Sequence, residues 1–587
     1  MTRLAPPSTL VVWMALAAVT VVFCFPLLVH DALPFGSDVV FASHSAHGFV
    51  QALREGILYP RWVGNSNRGF GGPTFIFYCP LPYYAVAAAR LVTADLIHAF
   101  RLVLFTVAFL SGLTFYHCIR RLTSPAAALA GASLYILMPY HTLDLYDRFA
   151  FAEYAAFLWF PLLLYFLRQL LREPGRRAWF GLAAAYTGLL FTHLVTAYMV
   201  LFILAPYAGF HVLKTRRWKN LIPIAGAGLA AIFCASIYLI PMLAERDAVH
   251  LEWVIQAPYG NFHRNFVYRD EVAHGFTAAP IKPWVNQAAT WQAFLGLAAA
   301  LLLFVRFSRR LAGNASREPA AWTEGLAHLG LCGWTFFLQI PSSTPIWALV
   351  PQMATIQFPW RFGLFQALST CLLLSCSLAP AREEPGTAHP IRHTVRSTLL
   401  EKLHGGKLLA AAIIVAGVIP CLATTFRIAR NEYRPWIFDA ALARQPRYLN
   451  RVMKEYLPQG MEGWKDFGAT PSPLPSQVRL SGPGRARVAQ WATHSREIEV
   501  NTPGANTLHL RTFYHPGWHA WVDQREVPID RNNPFHAISI HLAPGKHRVR
   551  VVFGSTPDRK IGAGISTFSV ATMIALGFLA WRRQQPA

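Results

Sequence analysis

Apolar runs of about 18–22 residues, separated by short basic loops, recur along most of the chain and once more near its end. The first, STLVVWMALAAVTVVFCFPLLV, follows Arg3. It is long enough to cross a bilayer and too long for the apolar core of a secretory signal, so it is read as an uncleaved first span. The same pattern predicts further helical spans near 97–118, 125–139, 151–169, 178–213 (two), 221–243, 287–306, 326–341, 362–380, 408–425 and 562–581, about twelve in all.

Lys and Arg cluster after alternate spans, in Arg120 and Arg121, in Arg168, Arg172, Arg176 and Arg177, and in the stretches KTRRWKN, RFSRR and RRQQPA. That asymmetry puts these loops and both termini on the cytoplasmic side. The stretch 75–93, FIFYCPLPYYAVAAARLV, has spanning length, but counting it as a span would invert every later basic loop. Pro80 and Pro82 also interrupt a regular helix there. It is therefore expected to lie along, or re-enter, the outer surface. The polar stretches 30–73, 140–150, 244–286 and 342–361 then face outward.

Residues 430–560 change character. Short alternating runs such as REIEV, TLHLRTFY and GKHRVRVVF, separated by turn residues, predict an extracytoplasmic, β-sandwich-like domain. Trp491, Trp518 and Trp521 fall in it; tryptophans on strands are more often core than ligand platforms. The organisation expected is a transmembrane module over 1–429, the β-rich domain over 430–560, and a final helix with a basic tail over 561–587.

Composition narrows the class. The chain is 54% hydrophobic and 14% charged, against about 25% charged in soluble domains. That defines a polytopic α-helical membrane protein. The net charge of +24 lies mostly in the short loops, so it reflects orientation in the membrane and implies no nucleic-acid partner. The eight cysteines lie nearly all in apolar runs, without CxxC or metal-ligand spacing. No Walker A, GxSxG, HExxH or Rossmann glycine pattern occurs, which argues against a P-loop ATPase, a serine hydrolase, a zincin and a dinucleotide enzyme.

The outward stretches hold the candidate chemistry. LYDRFAFAEY (145–154) carries Asp147, Arg148 and Glu153, with Asp144 just before it. Charges at membrane depth are costly and tend to mark a site. Arg148 could hold phosphate oxygens with its planar fork, or form a structural pair with Asp147 or Glu153. In the first outer loop Asp38 follows a Gly-Ser turn and could act as a base or as a helix N-cap. His44 and His47 are three apart, on one face if the segment is helical. Arg361, in FPWRF, opens a span and could reach the same pocket or sit at the interface beside Trp360. Arg269, with Arg246 and His263, lies in a loop long enough to close over the site. His193 falls at an outer turn.

The first loop, with Asp38 after the first span and then YPRW, GFGGP, FIFY and PLPYY, resembles polytopic GT-C glycosyltransferases, more narrowly the YfhO-like group. Related proteins carry the description 6-pyruvoyl-tetrahydropterin synthase related membrane proteins; no motif for that soluble enzyme's chemistry occurs here. MPYHTLDLYDRFAFAEYAAFLWFPLLL, IQFPWRFGLF and FYHPGWHAWVD fit the same resemblance, which spans nearly the whole chain. None of these motifs singles out a substrate. The resemblance implies a lipid-phosphate-linked sugar donor and a catalytic acid in the first outer loop, the position of Asp38. It implies that Arg148, Glu153 and Arg361 bind substrate, with His44, His47 and Arg269 as further candidates. The group often has two neighbouring acids there; here Val39 follows Asp38, so no metal or other cofactor is expected.

The function expected is transfer of a sugar from a polyprenyl-phosphate donor to an envelope glycan or lipid acceptor, in the inner membrane of a bacterium, on its periplasmic face. The alternative is a non-catalytic transporter or assembly factor for lipid-linked glycans. Asp38 in a pocket with Arg148 favours the enzyme; ionisable groups along a through-path favour transport.

Overall fold

The computed structural model describes residues 9–379 except 35, 254–259, 270–281 and 312–319. It also describes 476–582 except 534 and 535, and between these stretches only 415, 418–420, 422–423, 427, 454–459, 461 and 474. The expected span near 408–425 and the opening of the 430–560 region lie largely outside the described residues.

Among the described residues, five helices are long and apolar enough to cross a membrane: Leu96–Ile119, Phe151–Arg172, Leu194–Thr215, Trp284–Phe307 and Pro557–Phe578. Helices also form at other expected spans, but most of them are short or broken. Pro125–Leu137 has 13 residues, Gly363–Ser377 has 15 and Arg176–Thr192 has 17. At 1.5 Å per residue these reach only about 20–26 Å, short of a hydrocarbon core of about 30 Å. The pair Trp218–Cys234 and Ser236–Ala244, expected as one straight span, bends by 70°. The break falls at Ala235, and Ser566 Oγ of the last helix accepts the Ile237 N–H there at 2.7 Å.

Every residue of Gly363–Ser377 is buried, so this helix is the centre of the bundle. Its polar side chains are satisfied within the core: Gln366 Oε1 accepts from Gln339 at 2.9 Å, and Ser377 Oγ donates to Ala299 O at 2.8 Å. Across 75–93 only Thr74–Phe77 and the nine-residue Leu81–Ala89 are helical. The Val39–Arg54 helix buries Val39, Ala42, Ala46 and Phe49, one stripe at helical spacing. Phe49 meets Phe75 and Tyr84 edge-on at 4.6 and 4.8 Å, which fastens this helix to the 75–93 segment.

The C-terminal region forms two antiparallel sheets. β1 (Val478–Leu480), β4 (Asn506–Phe513) and β7 (Ala537–Leu542) make one, in the order β1-β4-β7. β2 (Arg485–Trp491), β3 (Ser495–Thr502), β8 (Gly545–Phe553), β5 (Trp518–Val522) and β6 (Arg525–Val527) make the other, in the order β2-β3-β8-β5-β6. Both sheets supply one buried cluster, with Ile498, Val500, Leu508, Leu510, Ile540, Val549 and Val551 in it.

That cluster also takes in Trp62, Phe70 and Ile76 from near the N-terminus. Trp62 meets Trp518 edge-on at 5.4 Å, and Phe70 stacks on Phe513 at 4.7 Å. Glu55 Oε2 accepts the Thr493 N–H at 2.7 Å. A buried Arg559 grips both carboxylate oxygens of Glu245 at 2.8 and 2.7 Å, tying the last helix to the bent pair. The sheets are therefore packed onto the loop that follows the first helix rather than tethered apart from it.

Candidate functional site

A six-residue π-turn, Leu143–Arg148, follows the short helix Pro139–Thr142. Phe149 ends it in the left-handed region (φ 54°), and the Ala150 N–H closes it onto Asp144 O at 2.9 Å. Glu153 lies in the first turn of the span that follows. The turn brings Asp144 and Arg148 against Glu153, all three buried.

Glu153 is the hub. Arg148 donates to it through two nitrogens, at 2.9 Å to Oε1 and 3.3 Å to Oε2. Arg361 Nε approaches Oε2 at 3.0 Å, and Tyr140 Oη donates to Oε1 at 2.9 Å. Arg148 also pairs with Asp144, and its guanidinium lies 4.7 Å from the Trp360 ring. Arg361 donates to Ile356 O at 2.8 Å and lies 4.9 Å from the Phe358 ring. Two guanidiniums thus meet two carboxylates in a buried site. A buried carboxylate left without its guanidinium is costly, so the partner that Asp144 and Glu153 share is the one the cluster depends on.

Asp38 arrives by backbone. Its N–H donates to Arg148 O at 2.9 Å, and Ser37 Oγ donates to the same oxygen at 3.1 Å. Gly36 permits the approach: a Cβ there would stand 2.5 Å from the Arg148 carbonyl carbon. Asp38 occupies the N-cap position of Val39–Arg54, yet its side chain makes no capping hydrogen bond. It is half-buried; burial disfavours the Arg148 charge, and the carboxylates of Glu153, Asp144 and then Asp38 outweigh that cost and hold the guanidinium charged. Burial, and next the Asp38 carboxylate, push the neighbouring Tyr78 hydroxyl up.

The other two acids of the first loop are engaged elsewhere. Asp31 pairs with Arg101 at 3.3 Å, and Glu55 holds Thr493. Asp38 is thus the first-loop acid held against the cluster. Among the described residues no group of three or more His, Cys, Asp or Glu side chains could hold a metal ion.

The remaining sequence candidates disperse. His44 turns inward to Ser66 Oγ at 2.8 Å, while His47 lines a groove with Arg54 and Arg90. Arg269 donates to His263 O at 2.6 Å within its own loop. His193 is near enough to Glu153 for the two side chains to interact electrostatically. Tyr140, Asp144 and Trp360 join the site although the sequence assigned them no role; PYHTLD and FPW flank the charged residues, but nothing in their spacing marks a contact.

The bundle and its buried charge cluster define a polytopic membrane protein with a polar site beside its first loop. The chain belongs to the 6-pyruvoyl-tetrahydropterin synthase related family of membrane proteins, whose model matches residues 75–384, more than half of its length. An uncharacterized protein of Lactococcus lactis subsp. cremoris is 24% identical over 217 residues, 35% of this chain and 35% of that one. The chain thus spans about a third of the curated relative it matches. Among solved structures it is similar to the arabinofuranosyltransferase AftD from Mycobacteria (TM-score 0.42, 14% identity, 72% of this chain and 27% of that one). A mutant form of AftD gives a TM-score of 0.41 at 14% identity, over 70% of this chain and 28% of that one. A likeness this loose lends no support to a shared activity.

Proposed function

We propose that the chain is an integral membrane glycosyltransferase of GT-C type, moving a sugar from a polyprenyl-phosphate donor to an envelope glycan or lipid acceptor on the periplasmic face of a bacterial inner membrane. The observation that carries the reading is the placement of Asp38: half-buried, not used as a helix cap, and fixed by its backbone to Arg148. Membership of a membrane-protein family and the order of the loop motifs support it.

Asp38 takes the proton of the acceptor hydroxyl. The acceptor oxygen attacks the anomeric carbon while the bond from that carbon to the phosphate oxygen breaks, and the electron pair leaves with the polyprenyl phosphate. One displacement inverts the anomeric centre. Arg361 is the better-placed cation for the departing phosphate, because it is anchored through Nε and one terminal nitrogen while the other has no partner among the described residues. A fixed cation at developing charge lowers the barrier without reorganisation. Arg148, its fork filled by Glu153 and Asp144, acts as a positioning residue that fixes both Glu153 and, through its carbonyl, Asp38.

The test is mass spectrometry of envelope glycans from a deletion strain carrying either the wild-type gene or Asp38→Asn. The wild-type gene should restore a sugar that the deletion removes, and Asp38→Asn should not. Full restoration by Asp38→Asn would exclude it as the base. Accumulation of a complete glycan on its lipid carrier, with no sugar missing, would favour the transport reading.

A further inference from the structure

On the flank of the Val39–Arg54 helix beside its packed stripe, a groove of about 450 Å³ opens against the turn that leads into the Leu96–Ile119 span. Ser43, His47, Gln51 and Arg54 line one wall, at intervals of four, four and three, one helix face. Arg90 and Asp95 line the other.

Its charges are unbalanced. Asp95 is committed: its Oδ1 accepts from the His98 N–H and the His98 ring, each at 2.9 Å, capping the span. Arg90 is braced on the Thr93 carbonyl, and Arg54 has no partner among the described residues. Burial and then the Arg54 charge hold His47 below its ordinary value, and Glu55, the acid next to this wall, accepts from Gln51 Nε2 at 3.1 Å and from the Thr493 N–H. The next residues place the groove relative to the bilayer. Leu91 and Val92 are 87% and 78% exposed at the mouth of a membrane span. Side chains that apolar belong in hydrocarbon, which sets the adjoining arginines at the level of lipid phosphates.

We propose that this groove seats the phosphate of a membrane-lipid headgroup, held by Arg54 and Arg90 with the His47 ring beside them. Guanidinium forks match phosphate oxygens in geometry and in charge. The seat is separate from the reaction centre: along the helix, His47 is nine residues from Asp38 and Arg54 sixteen, about 13 and 24 Å at 1.5 Å per residue. It would orient the Val39–Arg54 helix, and so Asp38, relative to the membrane surface.

The test is native mass spectrometry of the full-length protein titrated separately with phosphatidylglycerol, a polyprenyl phosphate and inorganic phosphate. Arg54→Gln/Arg90→Gln should bind lipid at least tenfold more weakly than the wild type, while Arg487→Gln, a solvent-exposed change in β2, should bind as wild type. If the double variant does not fold, Arg54→Gln alone should still weaken binding, because Arg54 is exposed near the helix end. Tighter binding of phosphatidylglycerol assigns the seat to bulk phospholipid, and tighter binding of polyprenyl phosphate assigns it to a carrier lipid. Unchanged lipid affinity in the arginine variants, or complete displacement of lipid by inorganic phosphate, would overturn the proposal. The readout is binding alone, so it stands or falls independently of glycosyl transfer.

Discussion

Glu153 collects two guanidiniums and a phenol, and this sets what each charged residue can do. Removing Arg148 strands Asp144 and strips Glu153 of its fork, and breaking a buried pair costs about 3–5 kcal/mol. Arg148→Ala is expected to fall sharply in membrane abundance by fluorescence-detected size exclusion. Arg361→Ala loses a less enclosed partner; it should accumulate and instead bind donor roughly tenfold to a hundredfold more weakly, the worth of a charged hydrogen bond. Equal abundance of the two alanine variants would mean that Arg148 is not the structural partner. Arg148, Glu153, Arg361 and Asp38 were legible as candidates because charge is conspicuous in an apolar chain. Which arginine is locked and which is open was not legible, because it depends on a carboxylate at the centre of contacts that sequence spacing does not encode. His44 and His47 show the same limit: three apart on one helix, they face Ser66 and a groove respectively.

Strands with strict alternation, such as β8, were readable as strands; their pairing order was not, since β3 and β5 flank β8 only through long-range register. Helices were readable by length, but a bent pair and several 13–17-residue helices stood where straight spans were expected, since apolarity reports burial in protein as readily as burial in lipid. One strand contact predicts a pH response. Both His547 ring nitrogens face acceptors, Asp523 Oδ2 at 2.7 Å and Ala543 O at 2.9 Å, an arrangement suited to the charged ring. The Asp523 bond raises His547 above its ordinary 6.5, so its stabilisation is full below that pH and fades as pH rises through the raised value. The Arg548 N–H and then His547 hold Asp523 below 3.8, so its share is present above 3.8 and fades as pH falls through the lowered value. Thermal melts followed by tryptophan fluorescence should show the His547→Gln penalty shrinking as pH rises above 6.5 through the raised value. A pH-independent penalty would mean the contact acts through packing alone.

The sheets, the first loop and the last helix form one body through Trp62, Phe70 and the Glu245–Arg559 pair. Division of the chain by composition suggested boundaries at 429 and 560 but could not foresee that Trp62 completes a core built more than 400 residues later. Trp62→Ala should destabilise the sheets by about 3–5 kcal/mol, the usual cost of emptying a large aromatic site. Limited proteolysis between β1 and β8 should report it; unaltered protection would show that the sheets are stable without the loop. If the sheets hold the loop and the loop holds Asp38, the same variant should also lower activity although Trp62 packs into the core of the sheets. Asp38 is proposed to perform the proton transfer of a glycosyl displacement. This role is tested most directly with purified protein in liposomes containing a total lipid extract from the deletion strain, following polyprenyl-phosphate sugar and free polyprenyl phosphate by mass spectrometry. Wild type should consume the sugar-bearing lipid and release polyprenyl phosphate, while Asp38→Asn, at equal abundance, should bind the donor and leave it intact. Donor cleavage by Asp38→Asn at the wild-type rate would show that another group takes the proton.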